Sequence, residues 1–208
     1  MEIVFLEKGS LGNDLDLSYF SELGHVTFYE LTKPEEVPER IRDADVIIVN
    51  KIPMNEATLS GASHLKLVAL TATGMNNIDF DYTNSHGIQV KNVAGYSTNA
   101  VAQHTFALLF YVLHRLAYYD NYVKSGAYCT NPGFSHFDEK FSELDGKTWG
   151  IVGMGAIGQR VASIAGAFGC HVIYYSTSGR NTDQPYERVD LQSLVQTYEE
   201  LTRQMRQA

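Results

Sequence analysis

The run Gly153-Met154-Gly155-Ala156-Ile157-Gly158 fits the pattern G-x-G-x-x-G, and its flanks restrict what the chain can become. Thr148 to Val152 reads as a strand leading in, Ala156 to Phe168 as an apolar helix leading out, and His171 to Tyr175 as the next strand. In such a unit the first glycine permits a tight turn. The second leaves the backbone open to a pyrophosphate, and the third lets helix and strand approach each other. The start of the helix adds unpaired N–H groups and a partial positive charge. A tight strand-to-helix turn without a ligand is the alternative. Strand, glycines and helix together favour dinucleotide binding through Gly153, Met154, Gly155, Ala156, Ile157 and Gly158.

An NAD site usually places an Asp or Glu at the end of the second strand, on the adenosine ribose. Here that strand ends Tyr174-Tyr175-Ser176-Thr177-Ser178-Gly179-Arg180, and the nearest carboxylate is Asp183. Ser176, Thr177 and Arg180 suit a 2′-phosphate, which favours NADP(H); a polar turn with a solvated Arg180 keeps NAD(H) open.

Upstream, strand and helix signals alternate. Strand signals fall at residues 3–6, 25–29, 44–49, 65–70 and 87–93. Helix signals fall at 34–42, with Thr32 as N-cap, and at 55–60. The near-continuous apolar run Val46-Ile47-Ile48-Val49 marks a parallel strand covered on both faces. This rhythm predicts an α/β fold with a doubly wound parallel sheet. A long helix is expected from Asn99 to Val123, too apolar to stand uncovered, followed by a loop from Gly126 to Phe141. Thr73-Gly74 falls just past a strand's carboxyl end, where Gly74 lets neighbouring amides converge on a small carboxylate.

Composition narrows the partners. The 208 residues carry 16 Lys+Arg against 24 Asp+Glu, a net charge of −8, which argues against a nucleic-acid or anionic-membrane binder. Two cysteines cannot frame a disulfide scaffold. Met1-Glu2-Ile3 lacks a basic leader, and the apolar stretch Val101 to Leu113 is broken by Gln103, His104 and Thr105. A cytoplasmic protein is the expectation. His104 and His114 read as packing residues; Lys51, at a strand end, could attract an anionic ligand, with a solvated lysine the better reading. His64, His86, His136 and His171 show no metal-ligand spacing, and Cys170 reads as structural.

Three blocks carry a family resemblance. Glu143-Leu144-Asp145-Gly146-Lys147-Thr148-Trp149-Gly150-Ile151-Val152, continuing into the glycine turn, resembles the nucleotide-binding signature of the D-isomer-specific 2-hydroxyacid dehydrogenases. Ala72-Thr73-Gly74-Met75-Asn76-Asn77-Ile78-Asp79 resembles their substrate-carboxylate loop. Asn92 to Thr105 resembles their hinge and first long helix. The glycerate dehydrogenase and hydroxypyruvate reductase branch is the most similar. The resemblance implies hydride transfer between a nicotinamide and a small 2-keto or D-2-hydroxy acid. It implies a flavodoxin-like substrate-side domain over 1–98. A hinge helix and a partial Rossmann domain are implied over 99–208. Thr73, Gly74 and Met75 would hold the substrate carboxylate. Tyr96 would donate its hydroxyl to substrate or pack between domains. Thr98 and Val101 would face the nicotinamide, although N-capping and core packing are open to them as well. A homodimer through residues 99–128 is implied too.

The family's catalytic Arg, Glu and His are expected in Asn-x-x-Arg-Gly, Glu-Pro and Thr-Pro-His blocks, and the 208 residues contain none of these. The resemblance reads through to about Thr197, and Tyr198 onward reads as a foreign polar helical tail of the kind a frameshift leaves. These features predict a truncated chain, inactive alone. A non-catalytic dinucleotide-binding regulatory module and a pseudogene product are the alternatives.

Overall fold

The short apolar runs before residue 97 become five strands in the computed structural model, which describes residues 1–197. They are β1 (Glu2–Phe5), β2 (His25–Phe28), β3 (Val46–Val49), β4 (Leu67–Leu70) and β5 (Gln89–Lys91). All neighbours pair parallel in the order β2-β1-β3-β4-β5, so the winding reverses between β1 and β3. The two-residue period of a strand divides the side chains. Val4, Leu6, Ile47, Val49, Val68 and Leu70 enter one core with Val37, Ile41, Leu59 and Ile78. Ile3, Phe5 and Ile48 enter the opposite one with Leu17, Phe20 and Val26. Burial on both faces explains the uninterrupted apolar reading of β3. Each fully buried aliphatic side chain contributes about 1.5–3 kcal/mol.

Three short helices connect these strands: α1 (Val37–Arg40), α2 (Glu56–Leu59) and α3 (Phe80–Ser85). Asn55 caps α2 by accepting from the Thr58 N–H, and Asp79 caps α3 by accepting from the Tyr82 N–H. The helix expected over 34–42 is instead a 3-10 turn, Pro34–Glu36, running into α1. Thr32 caps nothing. It is buried, donates its hydroxyl to the Leu6 carbonyl and accepts from the Arg40 guanidinium, which ties the segment to the end of β1.

The chain divides into two units, Met1–Tyr96 and Ser97–Ala208, two residues before the boundary expected from sequence. The second unit contains α4 (Thr98–Leu113), α5 (Leu116–Lys124), α6 (Ala127–Thr130), β6 (Thr148–Val152), α7 (Ala156–Ala167), β7 (His171–Tyr175) and β8 (Glu187–Arg188). Residues 191–197 are helical. Its sheet is parallel in the order β6-β7-β8, so β6 has a partner on one side only among the described residues. Its core joins Ala102 and Phe106 of α4, Ile151 and Met154, Val161, Ala162 and Ala165 of α7, and Val172 and Tyr174 of β7.

Several expectations need correction here. The long helix from Asn99 to Val123 is two helices, because Arg115 adopts a left-handed backbone (φ 52, ψ 40) and breaks the hydrogen-bond ladder. The Gly126–Phe141 loop contains α6. Within the chain only Ala102 and Phe106 of α4 are buried, while Leu108, Tyr111 and Val112 are exposed. His104 is exposed rather than packed, whereas His114 stacks on Phe141. The tail expected from Tyr198 lies outside the described residues. No helix of the described residues is long and apolar enough to cross a membrane.

Ile47 is fully buried at the centre of the first sheet. Ile47→Ala should lower unfolding stability by about 2–5 kcal/mol in a urea titration followed by circular dichroism, because the cavity adds to the lost transfer energy.

Candidate functional site

The glycine turn of the second unit is built by contact between backbones. Gly153 sits at φ +98, a conformation that suits glycine, and its N–H donates to the Tyr175 carbonyl at 2.9 Å. A Cβ on Gly158 would lie 2.2 Å from the Gly153 carbonyl oxygen, so only glycine lets α7 come this close to the end of β6. A Cβ on Gly155 would meet nothing within 4 Å, which leaves the backbone at the helix start open. Ala156 and Ile157 are exposed in the first turn of α7, whose leading amides have no partner within the helix. Met154 differs, since its side chain is buried in the core and only its backbone faces the turn. The loop therefore has the open amides, dipole and missing Cβ atoms that a diphosphate fits.

At the end of β7 the candidates separate. Thr177 is exposed, and its hydroxyl lies 3.9 Å from where a Cβ of Gly153 would stand, beside the turn. Arg180 is exposed and makes no ion pair among the described residues. Ser176 drops out as a ligand contact. It is buried, and its hydroxyl donates to the Arg180 carbonyl, closing the 176–180 turn.

In the first unit Thr73 and Gly74 are exposed just beyond β4, and Met75 packs on the core. The Thr73 hydroxyl donates to the Val93 carbonyl at 3.0 Å, and the Asn92 amide group donates to the Thr73 carbonyl at 2.6 Å. This cross-bracing holds the turn while no backbone carbonyl among the described residues accepts from the amides of Gly74 or Met75. Tyr96 is 64% exposed at the end of this unit, after Gly95 at φ +76. In the second unit Thr98 is the first residue of α4, and its N-cap is Ser97, which makes no side-chain cap bond. Val101 is exposed, so neither N-capping by Thr98 nor core packing by Val101 holds within this unit.

One polar cluster escaped the sequence reading. Glu7 accepts from three successive amides, Asn50 (2.7 Å), Lys51 (2.8 Å) and Ile52 (3.3 Å). Asn77 donates its side-chain amide to the Asn50 (3.4 Å) and Ile52 (2.8 Å) carbonyls. Asn77 stands inside the quoted carboxylate loop, but no local spacing links it to Glu7 or to residue 50. Among the described residues no group of three or more His, Cys, Asp or Glu could hold a metal. Burial pushes the Cys170 thiol up, so a reactive thiolate is disfavoured there.

The sequence profile for "D-isomer specific 2-hydroxyacid dehydrogenase, catalytic domain" matches residues 3–208, a range that includes the tail the motif reading set apart. The chain belongs to this family. It is 37% identical over 179 residues to a hydroxypyruvate reductase of Blautia hydrogenotrophica, covering 84% of this chain and 56% of that protein. It is 34% identical over 175 residues to a glycerate dehydrogenase of Methylorubrum extorquens, covering 84% of this chain and 55% of that one. Among solved structures, an acyclic imino acid reductase in complex with NADPH and D-Arg matches with a TM-score of 0.77 at 30% identity, over 93% of this chain and 62% of that one. The Aquifex aeolicus D-lactate dehydrogenase complexed with NAD and lactic acid matches with a TM-score of 0.75 at 27% identity, over 92% and 57%. The chain thus spans little more than half the length of the curated relatives it matches.

The glycine geometry yields a paired prediction. Gly158→Ala should destabilise by about 1–3 kcal/mol through the backbone clash. Gly155→Ala should change stability by less than about 1 kcal/mol, because its poorer N-cap preference is offset by a less free unfolded chain. Thermal unfolding followed by the fluorescence of Trp149, the single tryptophan, separates the two.

Proposed function

We propose that this chain serves an NAD(P)-dependent oxidoreductase that moves a hydride between nicotinamide and a small 2-keto or D-2-hydroxy acid of the hydroxypyruvate and glycerate kind. The observation that carries the reading is the open, Cβ-free start of α7 against the carboxyl end of β6. On this reading residues 1–98 are the substrate-side domain, and its strand order β2-β1-β3-β4-β5 is the flavodoxin-type order. Residues 99–208 are the hinge helix and the opening βαβ of a Rossmann sheet.

The dinucleotide, when bound, supplies the hydride chemistry. This chain supplies binding and orientation. Amides of Gly155, Ala156 and Ile157, with the α7 dipole, hold the diphosphate. Thr177 and Arg180 flank the adenosine ribose, and the lack of a carboxylate before Asp183 favours NADP(H) over NAD(H). Thr98 and Val101 line the nicotinamide side. Amides of Thr73, Gly74 and Met75 hold the substrate carboxylate, and Tyr96 donates its hydroxyl. The group that moves the hydroxyl proton belongs to the Arg, Glu and His blocks, none of which occurs in the 208 residues. A second copy of the chain covers the apolar face of α4 and α5, where Leu108, Tyr111, Val112, Leu116 and Val123 are exposed.

Two measurements test this reading. Calorimetric titration of the 208-residue chain should show binding of NADPH in preference to NADH. The same chain with hydroxypyruvate or glyoxylate and either cofactor should give no turnover above background. Robust turnover would refute the assignment of the proton-moving group, and no affinity for either dinucleotide would refute the cofactor site. Val112→Asp should convert a dimer to a monomer in sedimentation analysis, whereas an unchanged mass would exclude this face.

A further inference from the structure

Between β7 and β8 the chain passes through an irregular loop, and two buried hydroxyls hold its first half. The Ser176 hydroxyl donates to the Arg180 carbonyl at 2.5 Å. The hydroxyl of Tyr174, whose ring lies in the core, donates to the Thr182 carbonyl at 3.2 Å, with the Asn181 carbonyl beside it at 3.5 Å. The carbonyls of residues 180 to 182 thus face back toward the end of β7. Gly179 (φ +67) and Asn181 (φ 53) take the left-handed backbone of this reversal, which glycine and asparagine tolerate. The Arg180 N–H donates to the Ser178 hydroxyl at 3.3 Å, so its main chain is held through both donor and acceptor. For packing alone, phenylalanine would serve at 174 and alanine at 176. What the hydroxyls add is their hold on the loop.

The pinned loop starts beside the glycine turn. The Tyr175 carbonyl accepts from the Gly153 N–H, and the Thr177 hydroxyl lies 3.9 Å from where a Cβ of Gly153 would stand. Arg180 is drawn back against Ser176 by its own carbonyl. Thr177 and Arg180 are exposed, whereas Tyr174 and Ser176 beneath them are buried. An arginine on a loose loop loses conformational freedom when it grips an anion, and a loop ordered in advance avoids that cost. NADPH differs from NADH only by its 2′-phosphate. Ordering that serves Arg180 therefore favours NADPH and leaves NADH nearly unaffected.

We propose that Ser176 and Tyr174 are positioning residues for cofactor choice: their hydroxyls hold the 176–182 loop in the shape that presents Thr177 and Arg180 to a 2′-phosphate. The proposal rests on the reading that Thr177 and Arg180 flank the adenosine ribose. It gives the two hydroxyls no contact with the cofactor.

The test is calorimetric titration of the 208-residue chain and its variants with NADPH and with NADH. Arg180→Met should weaken NADPH about tenfold or more, the range of a charge-assisted hydrogen bond, with NADH within about twofold of wild type. Ser176→Ala and Tyr174→Phe should each weaken NADPH about two- to tenfold, the range of one hydrogen bond, and again spare NADH. Loss of the NADPH preference is a readout that a general loss of folding would not give, and if one hydroxyl variant fails to fold the other carries the same test. If Arg180→Met loses NADPH while both hydroxyl variants keep the wild-type ratio, the proposal is overturned and the reading of Arg180 stands. If the hydroxyl variants lose NADPH and NADH equally, the hydroxyls serve the fold alone and the proposal is overturned. If Arg180→Met binds NADPH like the wild type, the reading of Arg180 fails and the proposal fails with it.

Discussion

One close approach underlies the second unit: the backbone of Gly158 against the carbonyl of Gly153. Without a Cβ there, α7 comes near enough to β6 for its first amides to stand over the strand's carboxyl end. The buried Val161, Ala162 and Ala165 continue that fit along the helix, and Phe106 stacks on Trp149 at 5.0 Å beneath it. The same geometry that packs the unit leaves the amides of Ala156 and Ile157 without carbonyl partners inside the helix. Packing and the candidate ligand site are therefore one feature.

The first unit follows a related logic with different parts. Its strands carry opposite cores on their two faces, so neither face has room for a ligand, and polar chemistry is confined to the strand ends. There the chain holds its loops by side chain to backbone bonds: Glu7 on residues 50–52, Asn77 on the same residues from the other polarity, and Thr73 with Asn92 across the turn. Such bracing lets exposed residues keep a defined position on otherwise irregular chain.

Sequence reading reached the elements whose physics is local. The apolar run at Val46–Val49 could be read as a covered parallel strand, and the spaced glycines at 153–158 as a turn under a helix, because each signal lies within one short window. What it missed depends on distant partners. Arg115 breaks the long helix with no glycine or proline to mark the site; it pairs with Glu139 at 3.5 Å, while His114 lies on Phe141. The two-residue strand Glu187–Arg188 has no apolar pattern, since it is set by register against Ile173 and Tyr174. Ser176 looked like a phosphate contact because a hydroxyl at a strand end reads the same whether it faces outward or closes its own turn. Glu7 was invisible for the same reason: its three amide partners lie more than forty residues away.

The central claim is that the amides at the start of α7 bind a diphosphate. Backbone amide shifts of Gly155, Ala156 and Ile157 during titration with ADP-ribose, which carries the diphosphate without nicotinamide, test it most directly. The account predicts saturable downfield shifts at these three positions, lost in Gly155→Ala while the rest of the spectrum is preserved. Unmoved resonances there at saturating ligand, or equal shifts in Gly155→Ala, would contradict it.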